Sequence, residues 1–292
     1  MTTLGDPDGD SAIDLGDGVT LRVAWASRTD VGLRREVNED SLVAIPPLFA
    51  VADGMGGHAA GDRASDLAVT RLAGSVLEGV DALGAVEGGL LAAARAIDAL
   101  SAELGAGAGT TATGVVAARL DGVAGFLVFN VGDSRVYLLE AGEIRRLTVD
   151  HSVVQEMVDA GMLTEQDAEH HPDSNVITHA LGFGERPRPD VWFVPARTGQ
   201  RLLLCSDGLT KELGADGIAR RLARAGIGAA ADALVAQALA LGGRDNVTIV
   251  ALEVLDAPDP GPAPVRALRR RRPRGFGADL DDTAEQPSLD AR

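Results

Sequence analysis

Across 292 residues the chain holds one cysteine, one lysine and one tyrosine, and aromatic residues make up 3% of it. A lone cysteine, Cys205, cannot close an intramolecular disulfide, so a secreted, disulfide-stapled fold is excluded. No apolar run approaches the roughly 18 to 20 residues that a membrane-crossing helix needs. Residues 1–18 are acidic and polar, the reverse of a basic-then-apolar signal peptide. A soluble, cytoplasmic protein with no membrane span is therefore expected. Positive charge is short as well: 27 basic residues face 43 acidic ones, for a net charge of −16. Such a field repels polyanions and disfavours nucleic-acid binding. Lys211 is the only lysine among those bases, which reads as arginine-biased composition rather than chemistry.

What is present suffices for a core. Hydrophobic residues reach 46%, which excludes disorder throughout. Dividing the length by about 150 residues per domain suggests one large domain or two small ones. Three zones differ. Residues 1–18 carry five aspartates and no base, and read as a disordered lead-in. Residues 19–255 read as one folded domain. From Asp256 the chain turns to Pro-Asp-Pro-Gly-Pro-Ala-Pro and then Arg269-Arg270-Arg271-Arg272, and residues 256–292 read as a disordered tail. The arginine run is either a docking site for acidic partners or a solvated tail.

Within 19–255 the periods are mixed. Leu21–Trp25 alternates, and Leu42–Ile45 and Leu48–Ala52 are short apolar runs, all read as strands. Residues 60–78 and 83–104 carry Ala and Leu at helical spacing. Strand-like runs at 110–120, 122–131 and 135–140 are separated by Asp121-Gly122 and Gly132-Asp133, turns short enough to demand antiparallel pairing. Residues 151–170 read as helical, 190–195 and 201–206 as strands, 215–241 as two helices, and Val247–Val254 as a closing strand. Strands in runs and helices in pairs make an α+β fold with antiparallel sheets rather than a βαβ alternation.

The aspartates fall at the ends of these strands. Asp53 ends Leu48–Ala52, Asp133 follows Phe126–Gly132, Asp207 follows Leu202–Ser206, and Asp245 and Asp40 directly precede strands. A carboxylate at a buried strand end costs desolvation energy unless something offsets it. One such Asp is usually a cap or turn residue. Five of them, if they converge, cannot persist without cations. Oxygen-only ligands select hard ions, Mg²⁺ or Mn²⁺. Two such ions can activate a shared water and clamp the oxygens of an in-line phosphoryl displacement. Gly54 would let backbone approach a metal closely and offer its carbonyl. The residues thus point to a two-metal hydrolase.

Seven segments occur in order: Arg35-Glu36-Val37-Asn38-Glu39-Asp40, Asp53-Gly54-Met55-Gly56-Gly57-His58, Gly109-Thr110-Thr111, Gly132-Asp133-Ser134-Arg135, Asp150-His151, Cys205-Ser206-Asp207-Gly208 and Gly243-Arg244-Asp245-Asn246. In this the chain resembles the metal-dependent protein phosphatases (PPM, the type-2C serine/threonine phosphatases) in their bacterial form, over about residues 20–255. Met157–Gly182 is similar to the flap of bacterial members.

The resemblance implies a four-layer αββα sandwich of two antiparallel sheets flanked by helices. It implies two Mn²⁺ or Mg²⁺ ions, with Asp53 bridging both, Asp207 and Asp245 on the first and the Gly54 carbonyl on the second. Glu39 and Asp40 would hold metal-bound waters, and Asp133 with Asp207 would bind a third ion. The bridging hydroxide would attack phosphorus directly. Arg35 would grip the phosphate, its planar fork matching two oxygens; otherwise it is a surface arginine paired with a nearby acid. Where eukaryotic members place a His after Asp-Gly, this chain has Met55. His58, three residues on, either protonates the leaving alkoxide or is structural, with water on a metal as the other acid, and His151 is expected to anchor the turn between strand and helix.

Two rivals have distinct signatures. Cys205 to Lys211 spells C-x₅-K, but a cysteine phosphatase needs a low-pKa thiolate in an arginine cradle, and Cys205 sits in an apolar strand. A pseudophosphatase that binds phosphoproteins or scaffolds a kinase would be expected to lose metal acids, and here all are kept. The resemblance implies phosphoserine and phosphothreonine proteins as partners, including eukaryotic-like serine/threonine kinases and their substrates. A monomer is expected.

Overall fold

The computed structural model describes residues 1–56, 60–77, 81–168 and 171–270. In chain order the elements begin with β1 (Thr3–Gly5), β2 (Asp8–Asp14), β3 (Thr20–Asp30), β4 (Ser41–Ile45), β5 (Leu48–Ala52), β6 (Gly54–Met55), α1 (Ala60–Leu77) and α2 (Ala82–Leu104). There follow β7 (Gly109–Thr110), β8 (Ala112–Leu120), β9 (Val123–Val131), β10 (Arg135–Glu140), β11 (Glu143–Arg146), α3 (Val153–Asp159) and α4 (Glu165–Ala168). The last third holds β12 (Leu181–Gly182), β13 (Asp190–Pro195), β14 (Arg201–Cys205), α5 (Asp207–Thr210), α6 (Ala215–Leu222), α7 (Ile227–Leu241), β15 (Val247–Asp256) and β16 (Arg266–Arg269).

Two large sheets result, ordered β1-β4-β5-β8-β9-β13-β16 and β11-β10-β14-β15-β3-β2, with a small β12-β7-β6 sheet beside them. Among the described residues every strand pair is antiparallel except β1 with β4. The expected hairpin at Asp121-Gly122 forms because both residues adopt positive φ, 51° and 82°, which matches the twist of β8 and β9.

Three apolar clusters make four layers. Leu21, Phe49, Phe126, Val128, Leu202 and Leu252 meet between the large sheets. The opposite face of the first sheet packs Ala50, Phe129 and Val131 on Leu72, Leu90 and Ile97 of α1 and α2. The opposite face of the second packs Leu203 and Ile249 on Leu209, Ile218 and Leu234 of α5–α7. Each fully buried large side chain contributes roughly 1.5–3 kcal/mol, so few aromatics suffice where three phenylalanines lie wholly inside. The αββα sandwich is the expected fold.

Four expectations are corrected. Gly132-Asp133 makes no hairpin: β9 lies in the first large sheet and β10 in the second, so the chain crosses between the sheets there. The acidic N-terminus is not a disordered lead-in: β2 pairs with β3 from Asp8↔Ala26 to Asp14↔Thr20, and β1 pairs with β4. Backbone hydrogen bonds, the Trp25 indole N–H donated to the Asp6 carbonyl (3.0 Å) and the Arg28–Asp8 ion pair hold it. Part of the 256–292 tail is also structured, since β16 pairs with β13; residues 271–292 lie outside the described residues. The single helix expected over 151–170 is two, interrupted at Gly161 with φ 72°. No helix among the described residues is long and apolar enough to cross a membrane.

Candidate active site

A cleft of about 810 Å³ opens where strands of both large sheets end, lined by Arg35, Glu39, Asp53, Gly54, Asp133, Asp207, Lys211 and Asp245 and roofed by the 175–183 segment. Asp53 stands just past β5, and its backbone is fixed on both sides. Its N–H donates to Thr111 Oγ1, and its carbonyl accepts from Thr111 N–H and Thr110 Oγ1, each at 2.9 Å. Gly54 is required for packing: a Cβ there would stand 2.2 Å from the Gly61 carbonyl oxygen and 2.5 Å from that of Glu39. A Cβ at Gly208 would meet the Asn246 carbonyl oxygen at 1.9 Å, so α5 can start directly against β15.

Asn246 ties the 31–40 loop to the last strand. Its Oδ1 accepts from Glu39 N–H (2.9 Å), and its amide donates to the carbonyls of Val31 and Val37. Asp40 is buried at the start of β4, where Ser206 Oγ donates to its Oδ2 at 2.8 Å. Asp133 follows the turn at Gly132, whose N–H donates to His151 Nδ1 and whose carbonyl accepts from His151 N–H. His151, which stands between β11 and α3, thus ties that connection to the turn between β9 and β10.

The electrostatics are lopsided. Burial pushes the Asp40 carboxyl up to about 7, with Asp207 and Asp245 adding to it against hydroxyl donors. Burial, then the charges of Asp207 and Asp150, pushes Asp133 up to about 8. Burial and the surrounding carboxylates hold Asp53 well above the usual range. Asp207 is raised mainly by burial, against Lys211, and Glu39 is raised by burial. Asp245 alone goes down: burial pushes it up, but Arg35 and Lys211 outweigh that.

Two cations answer part of this charge. Arg35 grips Asp245 with both arms, Nε to Oδ1 at 2.8 Å and an Nη2 donation to Oδ2 at 3.0 Å. Its partner is therefore Asp245, not the adjacent Glu36. Lys211 reaches Asp207 at 2.6 Å and Asp245 at 3.3 Å. Burial alone would lower its ammonium, but those acids hold it well above its ordinary value. The composition-based reading of Lys211 missed it, although it sits four residues after Asp207, a spacing that places both on one helical face. Asn246 was likewise inside a recognised segment with no role attached.

Oxygens remain over. Asp40 Oδ1, Asp133 Oδ1 and Asp207 Oδ1 are buried with no hydrogen-bond partner. Orphaned carboxylate oxygens of this kind cost free energy that a cation would recover. Among the described residues no three His, Cys, Asp or Glu side chains already ring one point, and Asp245 and Asp207 are paired with Arg35 and Lys211. The donor set still fits hard divalent ions in kind: it is all oxygen, buried and short of positive charge. His58 lies outside the described residues. Cys205 is buried and its thiol is pushed up to about 12 by burial, which removes the cysteine nucleophile.

Carboxylates forced together at strand ends, beside a guanidinium able to bridge two oxygens, are what a divalent-metal phosphohydrolase of the αββα type requires. The family model described as Protein phosphatase 2C matches residues 36–240, and the chain belongs to that family. Serine/threonine protein phosphatase PstP of Mycobacterium tuberculosis is 41% identical over 248 residues, which are 82% of this chain and 46% of that relative. The chain thus spans about half the length of that relative. Serine/threonine phosphatase stp of Listeria welshimeri is 37% identical over 242 residues, covering 77% of this chain and 94% of the relative. The catalytic domain of PstP, solved in complex with two manganese ions, superposes with a TM-score of 0.70 at 37% identity, covering 80% of this chain and 99% of that one.

Proposed function

We propose that the protein hydrolyses phosphoserine and phosphothreonine in other proteins, using Mn²⁺ or Mg²⁺. The observation that carries this is the pair of partnerless buried oxygens on Asp133 and Asp207, which line one open cleft with Arg35, and a third on Asp40, buried behind them where it accepts from Ser206. Asp53, Asp207, Asp245 and the Gly54 carbonyl would hold two ions, Asp133 with Asp207 a third, while Glu39 and Asp40 would accept from ordered waters. When bound, such ions supply an activated water nucleophile and neutralise charge on the phosphoryl oxygens.

The chain's own groups do the rest. The Arg35 side chain is half-exposed at the cleft edge and can transfer its two-pronged grip from Asp245 to phosphate oxygens. Asn246 holds the Glu39 backbone in place, and the Thr110–Thr111 contacts fix the Asp53 backbone from which its carboxylate projects. The names of the relatives support serine and threonine phosphoproteins as substrates; eukaryotic-like serine/threonine kinases and the proteins they phosphorylate are the proposed partners. The retention of every acid of the cleft favours an enzyme over a phosphoprotein-binding pseudophosphatase.

The test is phosphate release from a phosphothreonine peptide by the purified protein. Turnover with Mn²⁺ or Mg²⁺, its loss in EDTA and its loss in Asp207→Ala are expected. Full activity in EDTA, or none with either ion, would refute the proposal. Arg35→Ala should raise KM about tenfold, the loss of one charge-assisted bidentate contact.

A further inference from the structure

A second hollow of about 950 Å³ adjoins the metal cleft, and His179 and Glu185 line both. One wall is α2, with Glu87 and Leu91; the other is Arg186-Pro187-Arg188-Pro189, and Arg269 and Arg270 at the end of β16 close it. Four arginines and two glutamates therefore line one groove, in a chain whose net charge is −16. Glu87 is taken by Arg269, and Glu185 faces His179 Nδ1 at 3.6 Å. Arg186, Arg188 and Arg270 are exposed and form no ion pair among the described residues.

The backbone presents two of these arginines ready-made. Prolines at 187 and 189 fix φ and bias the residue before each toward extended backbone, so Arg186 and Arg188 lose little freedom on docking. The Arg188 N–H donates to His179 Nε2 at 3.1 Å, tying this arm to the segment that roofs the metal cleft. The two hollows share His179 and Glu185, so a chain leaving the cleft on that side would meet these arginines.

We propose that this groove extends the substrate cleft and binds acidic side chains, Asp, Glu or a second phosphoresidue, that flank the phosphoserine or phosphothreonine. It rests on the phosphatase function proposed above and adds a substrate class to it. Contacts of this kind, made alike before and during reaction, lower KM and leave kcat nearly constant.

The experiment compares two phosphothreonine peptides that differ only in carrying flanking Asp or flanking Asn, with p-nitrophenyl phosphate as a substrate too small to reach the groove. The acidic peptide should be preferred about tenfold in kcat/KM at low salt, through KM, as several exposed ion pairs together allow. That preference should shrink at about 0.5 M salt, where screening acts within a few ångströms. The double variant Arg186→Glu/Arg188→Glu should prefer a peptide with flanking Arg, a gain that misfolding cannot mimic. Equal kcat/KM for both peptides in a protein that hydrolyses p-nitrophenyl phosphate, or a preference that survives charge reversal, overturns the groove and leaves the phosphatase standing. No hydrolysis of any of the three substrates with Mn²⁺ sinks both.

Discussion

Asp133 and Asp150 are buried to nearly the same depth, 7% and 8% exposed, in neighbouring parts of the molecule, yet their surroundings are opposite. Asp150 is saturated: Arg135 Nε donates to both its oxygens at 3.0 Å, Arg135 Nη2 adds a bond at 2.5 Å, and Arg146 stands at 3.4 Å. Asp133 keeps one oxygen with no partner, and its proton is held on by burial and by Asp207 and Asp150. Depth alone therefore does not separate a structural carboxylate from one kept for a ligand. Partnership does: the first is saturated by the fold, and the second keeps an unpartnered oxygen on which the proposed cation could bind.

The largest test of that contrast is Asp150→Ala. It leaves the Arg135 guanidinium, 24% exposed, without its carboxylate partner and should cost about 3 kcal/mol of stability by chemical denaturation. An effect under about 1 kcal/mol would place Asp150 on the same footing as a surface ion pair.

Next comes pH. Asp40 and Asp133 hold protons in the folded, metal-free protein up to about 7 and about 8, whereas the unfolded chain releases them near the ordinary carboxylate value, about 4. Their contribution is thus full below about pH 4 and is lost as pH rises through 7 and 8. Between pH 7 and 9 the metal-free protein should lose on the order of 2 kcal/mol, and saturating Mn²⁺ should flatten that slope. A flat metal-free profile would contradict it.

Smaller still, Asp133→Asn should stabilise the metal-free protein at pH 8 by about 1 kcal/mol, because it removes a buried charge without a partner. A loss of stability would make Asp133 structural after all. Lys211→Met should tighten Mn²⁺ binding several-fold by calorimetry, about 1 kcal/mol, since the ammonium no longer competes for Asp207 and Asp245. Weaker binding would mean that Lys211 holds the acids in place rather than competing for them.

Much of this was legible in the sequence. The runs at Leu42–Ile45, Leu48–Ala52 and 122–131 are buried from end to end or nearly so, and a strand buried on both faces writes itself as continuous apolar residues. Strand β2 was not legible, because it buries only Ile13 and is held by backbone pairing and by Trp25, which leave no apolar pattern. The break in the 151–170 helix depended on one positive-φ glycine that periodicity cannot weigh. At the site, acids at strand ends announced themselves through Gly and Asn neighbours, whereas Lys211 was hidden by an overall arginine bias. Arg186 and Arg188 carried no signal until the fold brought Arg269 and Arg270 to the same groove.

Calorimetric titration of the metal-free protein with Mn²⁺ tests the unfinished carboxylate cluster most directly. At least two ions per chain should bind, with Tm rising as they do, and Asp53→Asn should abolish binding in a protein that remains folded. Saturation by a single ion, or unchanged binding in Asp53→Asn, would show that these carboxylates are not what the cations occupy.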